Sequence, residues 1–184
     1  MSDGEKRWLG DISARVGNYI SGFVDGEGSF HVSLRQRSDH TMQWQAVLCF
    51  NVAQKDPTNL FIIKKHLGCG TIRKRKDGVH VFEVANPLSI AQKVIPFFEA
   101  FPFLSAKSKQ NFLLFRRIAA LMMQKKHLTG EGLAEIIRLR EKLNEGKGRK
   151  RKYSIDDYYQ SLPENPQRLY AKPRHFRKEM ARKI

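Results

Sequence analysis

Hydrophobic and polar positions alternate over residues 29–37, with Phe30, Val32 and Leu34 on one side and His31, Ser33, Arg35 and Arg37 on the other. A period of two predicts a half-buried strand, here with a basic outer face. The alternation resumes over 42–52: Trp44, Ala46, Leu48, Phe50 and Val52 share one face, while Gln43, Gln45, Val47, Cys49 and Asn51 share the other. The polar stretch 38–41 between them reads as a turn, so the two runs predict an antiparallel hairpin. A second, shorter hairpin is predicted over 71–76 and 79–85, turned at Asp77-Gly78. On it, Arg73 and Arg75 share a face with Thr71, Glu83 lies on the neighbouring strand, and His80 shares the parity of Phe82 and Val84 and so reads as a core residue.

Helical signals flank these hairpins. Asp11 or Ser13 opens a helix that runs to about Gly26. Asp56-Pro57 combines an N-cap with proline at the first helical position, and that helix stops at Gly68. Asn86-Pro87 opens another by the same logic, interrupted at Pro96 and ended at Pro102. Residues 107–126 and 130–144 predict two more helices, each apolar on one side. The fold class expected from this order is α+β, with helices covering the apolar face of an antiparallel sheet.

The helix entering the first strand carries the most specific signal. It reads Ile20-Ser21-Gly22-Phe23-Val24-Asp25-Gly26-Glu27-Gly28. Gly22 and Gly26 are four residues apart and share a helix face. Each costs about 1 kcal/mol relative to alanine in a helix interior, which points to a close helix–helix contact. Gly28 is expected to end the helix in a left-handed conformation and leave Glu27 at its tip. If the contacting helix belongs to a second copy, two Glu27 carboxylates meet near one axis, where they repel unless cations lie between them.

These nine residues closely resemble the signature motif of the LAGLIDADG homing endonucleases. The resemblance runs over roughly residues 18–120 and implies an αββαββα core, in which a curved antiparallel sheet forms a DNA-binding saddle and the helices lie on its other face. It implies Mg²⁺, with Mn²⁺ as a substitute, held by Glu27 and the Gly26 carbonyl. It further implies Gln54, within Phe50-Asn51-Val52-Ala53-Gln54-Lys55, as a residue that positions water. Lys107, within 102–110, matches a lysine of the catalytic network. Glu27, Gln54 and Lys107 are thus the expected catalytic residues. A basic residue usual a few positions after the glutamine is replaced by Thr58, which leaves Lys55 as a substitute, and Asp25 is assigned polar contacts at the helix end. Only one copy of the motif is present, so a homodimer through Ile20, Gly22, Phe23 and Gly26 is expected, on a long pseudo-palindromic target cut with short 3′ overhangs.

Charge supports a polyanionic partner: 34 basic against 18 acidic residues give +16. Double-stranded DNA is expected to meet Ser33, Arg35, Arg37, Gln43, Gln45, Asn51, Arg73, Arg75 and Lys109, because arginine pairs bidentately with guanine and Gln or Asn with adenine. Two cysteines, Cys49 and Cys69, exclude a four-thiolate zinc site and suit a reducing compartment. Met1 to Gly10 holds four charged residues and no apolar core of a secretory signal. No membrane partner is expected, and the location expected is intracellular: bacterial cytoplasm or an organelle interior. The composition divides the chain into an endonuclease domain, 1–144, and a basic extension, 145–184, that contains Lys147-Gly148-Arg149-Lys150-Arg151-Lys152 and Tyr158, Tyr159 and Tyr170. Other readings are a non-cleaving DNA-binding regulator, an RNA maturase acting on its own group I intron, and a basic ribosome-associated module.

Overall fold

The computed structural model describes residues 7–39, 43–144 and 152–161. Its elements run α1 (Arg7–Gly10), α2 (Ala14–Glu27), β1 (Gly28–Gln36), β2 (Trp44–Gln54), α3 (Thr58–Leu67), β3 (Thr71–Lys74) and β4 (His80–Val84). There follow α4 (Pro87–Ser89), a π-helical segment Ile90–Val94, α5 (Ile95–Ala100), α6 (Ala106–Met123), a 3-10 turn Lys126–Leu128, α7 (Gly130–Lys142) and α8 (Ile155–Gln160). One antiparallel sheet has the order β1-β2-β4-β3. The α+β architecture expected from the alternation is the one observed.

Phe30, Val32, Leu34, Trp44, Ala46, Leu48, Phe50, Val52, Phe82 and Val84 are all buried beneath the helices. Phe30 is the hub of an aromatic cluster. Its ring stacks on Phe50 at 5.1 Å and meets Phe98, Phe103, Phe112 and Phe115 at 5.0–5.7 Å. Edge-on and offset arrangements of this kind add to the apolar burial itself.

Local chemistry sets the element ends, with several departures from expectation. Ser13 caps α2 by accepting from the Val16 amide. Gly28 is not left-handed: its φ of −83° and ψ of 158° are already those of a strand. The chain passes from helix to sheet with no turn, because Gly28 itself pairs with Val52. Gln43 is not in β2 but has φ 57°, and its carbonyl accepts from the Arg37 amide to close the hairpin end. The second hairpin is also shorter than expected, since Arg75 and Val79 are bonded as part of its turn.

α3 begins one residue late. Pro57 takes the capping position, and Asp56 instead accepts from both the amide and the hydroxyl of Thr58. Gly68 ends that helix with φ 65°. Asn86 caps α4 through the Ser89 amide. Pro96 does not interrupt the helical run that follows. The Ile95 amide donates five residues back to the Ile90 carbonyl, and this wider turn accommodates a proline that has no N–H to give.

His80 is not in the core. It lies half-buried at the sheet end between Gln54 and Lys74, and its Nδ1 is 3.0 Å from the Lys55 carbonyl oxygen. Residues 152–161, assigned by composition to a separate extension, pack against the domain. Tyr158 is 1% exposed and donates to the Gly130 carbonyl, while Trp44 meets Tyr153 edge-on and donates to Ser161 Oγ at 2.7 Å. Arg140 donates from Nε to the Val32 carbonyl and Asn144 from Nδ2 to the Phe30 carbonyl, so α7 and its end cover the outer edge of β1. Thr41, Met42, residues 145–151, Tyr170 and the basic residues beyond 161 lie outside the described residues.

Candidate active site and nucleic-acid interface

The candidate site is built where α2 runs into β1. Gly22 and Gly26 lie exposed on α2, and a Cβ on either would meet nothing within 4 Å. Nothing inside the protomer therefore requires glycine at either position. Tyr19 adds 53% exposure nearby and donates to Asn59 Oδ1 of α3 at 2.8 Å. Phe23 is half-buried against the core. Ile20 does not share this outward face; it is 1% exposed within the domain core, because it lies on the opposite side of the helix from the glycines.

Gly28 is needed for another reason. A Cβ there would lie 2.4 Å from Val24 Cγ1 and 2.7 Å from the Val24 carbonyl oxygen. Only glycine permits the helix to turn into the strand so abruptly, and that turn leaves Glu27 exposed at the junction. Because Gly28 pairs with Val52, the strand end bearing Gln54 runs past this junction. Gln54, the last residue of β2, is half-buried and level with His80.

Asp25 joins the junction to α6. One carboxylate oxygen accepts from the Ser105 amide at 3.0 Å, the other accepts from the Ser105 hydroxyl, and the Asp25 carbonyl accepts from the Ser108 hydroxyl at 3.4 Å. Burial works against the charge on Asp25, but the hydrogen bonds from Ser105 and Ser108 outweigh it and hold the carboxyl below its ordinary range. Ser105 also caps α6 by accepting from the Ser108 amide. Lys107 follows two residues later in the first turn, exposed, and Lys109 is exposed beyond it. The polar contacts expected of Asp25 thus bring the lysine-bearing turn against the end of the helix that carries Glu27. Thr58 offers no free hydroxyl donor, since it is bonded to Asp56, and Lys55 is exposed beside it.

The strands of the sheet carry Ser33, Arg35, Gln45, Asn51 and Arg73 of the residues expected to meet DNA. Arg35 lies directly opposite Gln45, and Ser33 opposite Val47. A second row crosses all four strands as Ser29, Asn51, Glu83 and Thr71. Three of the arginines are paired: Arg37 with Asp39 at 2.6 Å, Arg75 with Asp77 at 2.8 Å, and Arg73 with Glu83 at 3.8 Å. Exposed pairs of this kind contribute about 0–1 kcal/mol, so phosphates or bases can replace the carboxylates at little cost. Gln43 and Arg75 sit in turns rather than strands, so the pleat does not aim them. Cys49, on the polar side by parity, is 4% exposed, and its thiol is pushed up to about 12 by burial and then by Glu83. His31, opposite Cys49, is lowered by burial, with Glu83 acting in the other direction.

The sequence matches the LAGLIDADG endonuclease family over residues 20–119, more than half of the chain. It is 33% identical over 133 residues to a probable intron-encoded endonuclease of Neurospora crassa, covering 70% of this chain and 29% of that protein. It is 31% identical over 86 residues to the DNA endonuclease I-CvuI of Chlorella vulgaris, covering 44% of this chain and 53% of the relative. The chain thus spans less than a third of the Neurospora protein and about half of the Chlorella one. It superposes on the archaeal intron-encoded homing endonuclease I-Vdi141I, solved in complex with DNA, with a TM-score of 0.72 at 31% identity, over 78% of this chain and 92% of that one. No helix among the described residues is long and apolar enough to cross a membrane. With its motif, strand order and sequence match in agreement, the chain belongs to the LAGLIDADG endonuclease family.

Proposed function

We propose that this protein is a site-specific homing endonuclease that cuts both strands of a long pseudo-palindromic duplex as a homodimer and leaves short 3′ overhangs. The observation that carries this reading is the open face of α2. Two glycines that nothing in the protomer requires lead directly to an exposed carboxylate. A second copy of the same helix, related by a two-fold axis, fills that space and brings two Glu27 side chains together. The related I-Vdi141I is complexed with DNA, which supports DNA as the partner of the sheet face.

Among the described residues, no three His, Cys, Asp or Glu side chains gather as a metal cage within one copy. One copy offers Glu27 together with a helix-end carbonyl, Gly26, of the kind that lacks a partner inside the helix. This donor set fits Mg²⁺ or Mn²⁺ across the dimer, because Mg²⁺ is held by one or two carboxylates and leaves its other positions to phosphate and water. When bound, the ion supplies Lewis-acid stabilisation of a phosphoryl oxygen.

The chain's own residues do the rest. Arg35, Gln45, Asn51 and Arg73 on the strands, with Ser33, fix the duplex in register and read base edges. Arg37, Gln43, Arg75 and Lys109 add contacts from the turns and from α6. Gln54 orients the attacking water at the β2 end, and Lys107 neutralises charge that develops on the phosphate. Incubating wild type and Glu27→Ala with a randomised duplex library in Mg²⁺, then sequencing the cut ends, tests this. A pseudo-palindromic cut site found only with wild type is expected. Cutting retained by Glu27→Ala, or tight binding with no cutting by wild type, contradicts it.

A further inference from the structure

The first turn of α6 has no apolar anchor. From Leu104 to Gln110 no residue is buried; Leu104 is 86% exposed and Lys107 is exposed. The helix enters the core only from Asn111 onward, through Phe112, Phe115, Ile118 and Ala119. What fixes the turn that carries Lys107 is therefore polar. One anchor is the Asp25 contact with Ser105 and Ser108.

The second lies at the base of the same turn. Asn111, four residues after Lys107 and so on the same side of α6, is 8% exposed. Its Nδ2 donates to Asn144 Oδ1 at 3.0 Å, and its Oδ1 accepts from the Asn144 amide at 2.9 Å. Asn144 Nδ2 donates in turn to the Phe30 carbonyl oxygen at 2.7 Å, three residues after Glu27. Asn144 has φ 56°, a conformation that side-chain-bearing residues adopt at a cost unless their surroundings hold them there. It lies beyond the segment that matches the family.

We propose that Asn144 is a positioning residue for DNA cleavage: through Asn111 it locks the base of α6 to β1 and so fixes Lys107 relative to Glu27. The proposal rests on the reading of Glu27 and Lys107 as acting residues given above. Its function is placement rather than contact with the substrate, and displacement of a reacting group by about 1 Å can cost about 100-fold in rate.

A double-mutant cycle tests it. Single-turnover cleavage of the selected duplex at saturating protein is measured for wild type, Asn144→Gly, Lys107→Met and the double variant, with DNA affinity and thermal midpoint for each. Glycine suits the positive φ and can keep the backbone bond to Asn111, so the fold is expected to be retained. The expected result is a rate constant lowered about ten-fold or more in Asn144→Gly at unchanged affinity. In the Lys107→Met background the second change should have little further effect, because both act through one group. A wild-type rate in Asn144→Gly, or an equal loss in both backgrounds, overturns the proposal alone. Should Asn144→Gly not fold, Asn144→Asp, which keeps the acceptor for Asn111 and loses the bond to Phe30, takes its place in the cycle. A wild-type protein that cuts no duplex overturns the functional reading together with this one.

Discussion

Gly26 and Gly28 stand two residues apart at the end of α2 and serve different ends. Gly28 is required by the protomer: its missing Cβ makes room for the Val24 carbonyl, which is backbone and cannot move aside. Gly28→Ala is expected to destabilise the protomer by about 2–4 kcal/mol, as for strained or overpacked sites, read as a lower denaturant midpoint. A midpoint equal to that of wild type would refute this account of the junction. The sequence pointed to the right residue here for the wrong reason, since a glycine at a helix end suggests a positive φ, whereas the close approach to Val24 depends on a turn that only the folded backbone shows. Cys49 offers a similar case. Its parity put it on the polar face, but it is 4% exposed there, with its thiol beside the Glu83 side chain of another strand.

At the scale of elements, the open face of α2 predicts a separation of stability from assembly. Gly22→Ala should raise protomer stability by up to about 1 kcal/mol, since alanine is the better helix former and meets no neighbour. The same change should weaken self-association, measured as a lower sedimentation mass at equal concentration, because it thickens the face proposed to meet a second helix. Loss of protomer stability in Gly22→Ala would contradict the open geometry.

α8 makes a pH prediction of its own. Ser154 and Asp157 form a reciprocal capping box, and the hydrogen bonds from the Ser154 amide and hydroxyl hold the Asp157 carboxyl below its ordinary 3.8. A depressed carboxylate contributes stability that is present above its unfolded value and is lost as pH falls through the folded one. In a Trp8→Phe background, Trp44 fluorescence should therefore change below about pH 3.8 as Ser161 and Tyr153 leave the indole. Asp157→Asn should diminish that acid-side step, and an unaltered step would count against the box.

The elements most legible in the sequence were those governed by local rules: the period-two strands, the Ser13 and Asn86 caps, and Gly68 at a left-handed helix end. Pro96 was misread because its tolerance depends on a five-residue hydrogen bond from Ile95 to Ile90. Arg140 and Asn144 had no periodic signature, since both act on carbonyls of β1 that are more than a hundred residues away. Asn144, an asparagine just past a helix end, is itself of the type that accepts a positive φ, and that was the one local clue.

For the molecule as a whole, the motif gave the family, while the proposed site draws on two copies of the chain. On the proposed function, a chain with one motif, +16 net charge and no metal cluster of its own among the described residues cuts DNA only as a pair. The most direct measurement is cleavage by preparations in which wild-type and Glu27→Gln chains are co-expressed at graded ratios and purified at constant total protein. If each active unit needs Glu27 from two copies, double-strand cutting falls as the square of the wild-type fraction. A linear fall, as for copies that act independently, or a fall slower than linear, as for a dimer in which one Glu27 suffices, would contradict the account.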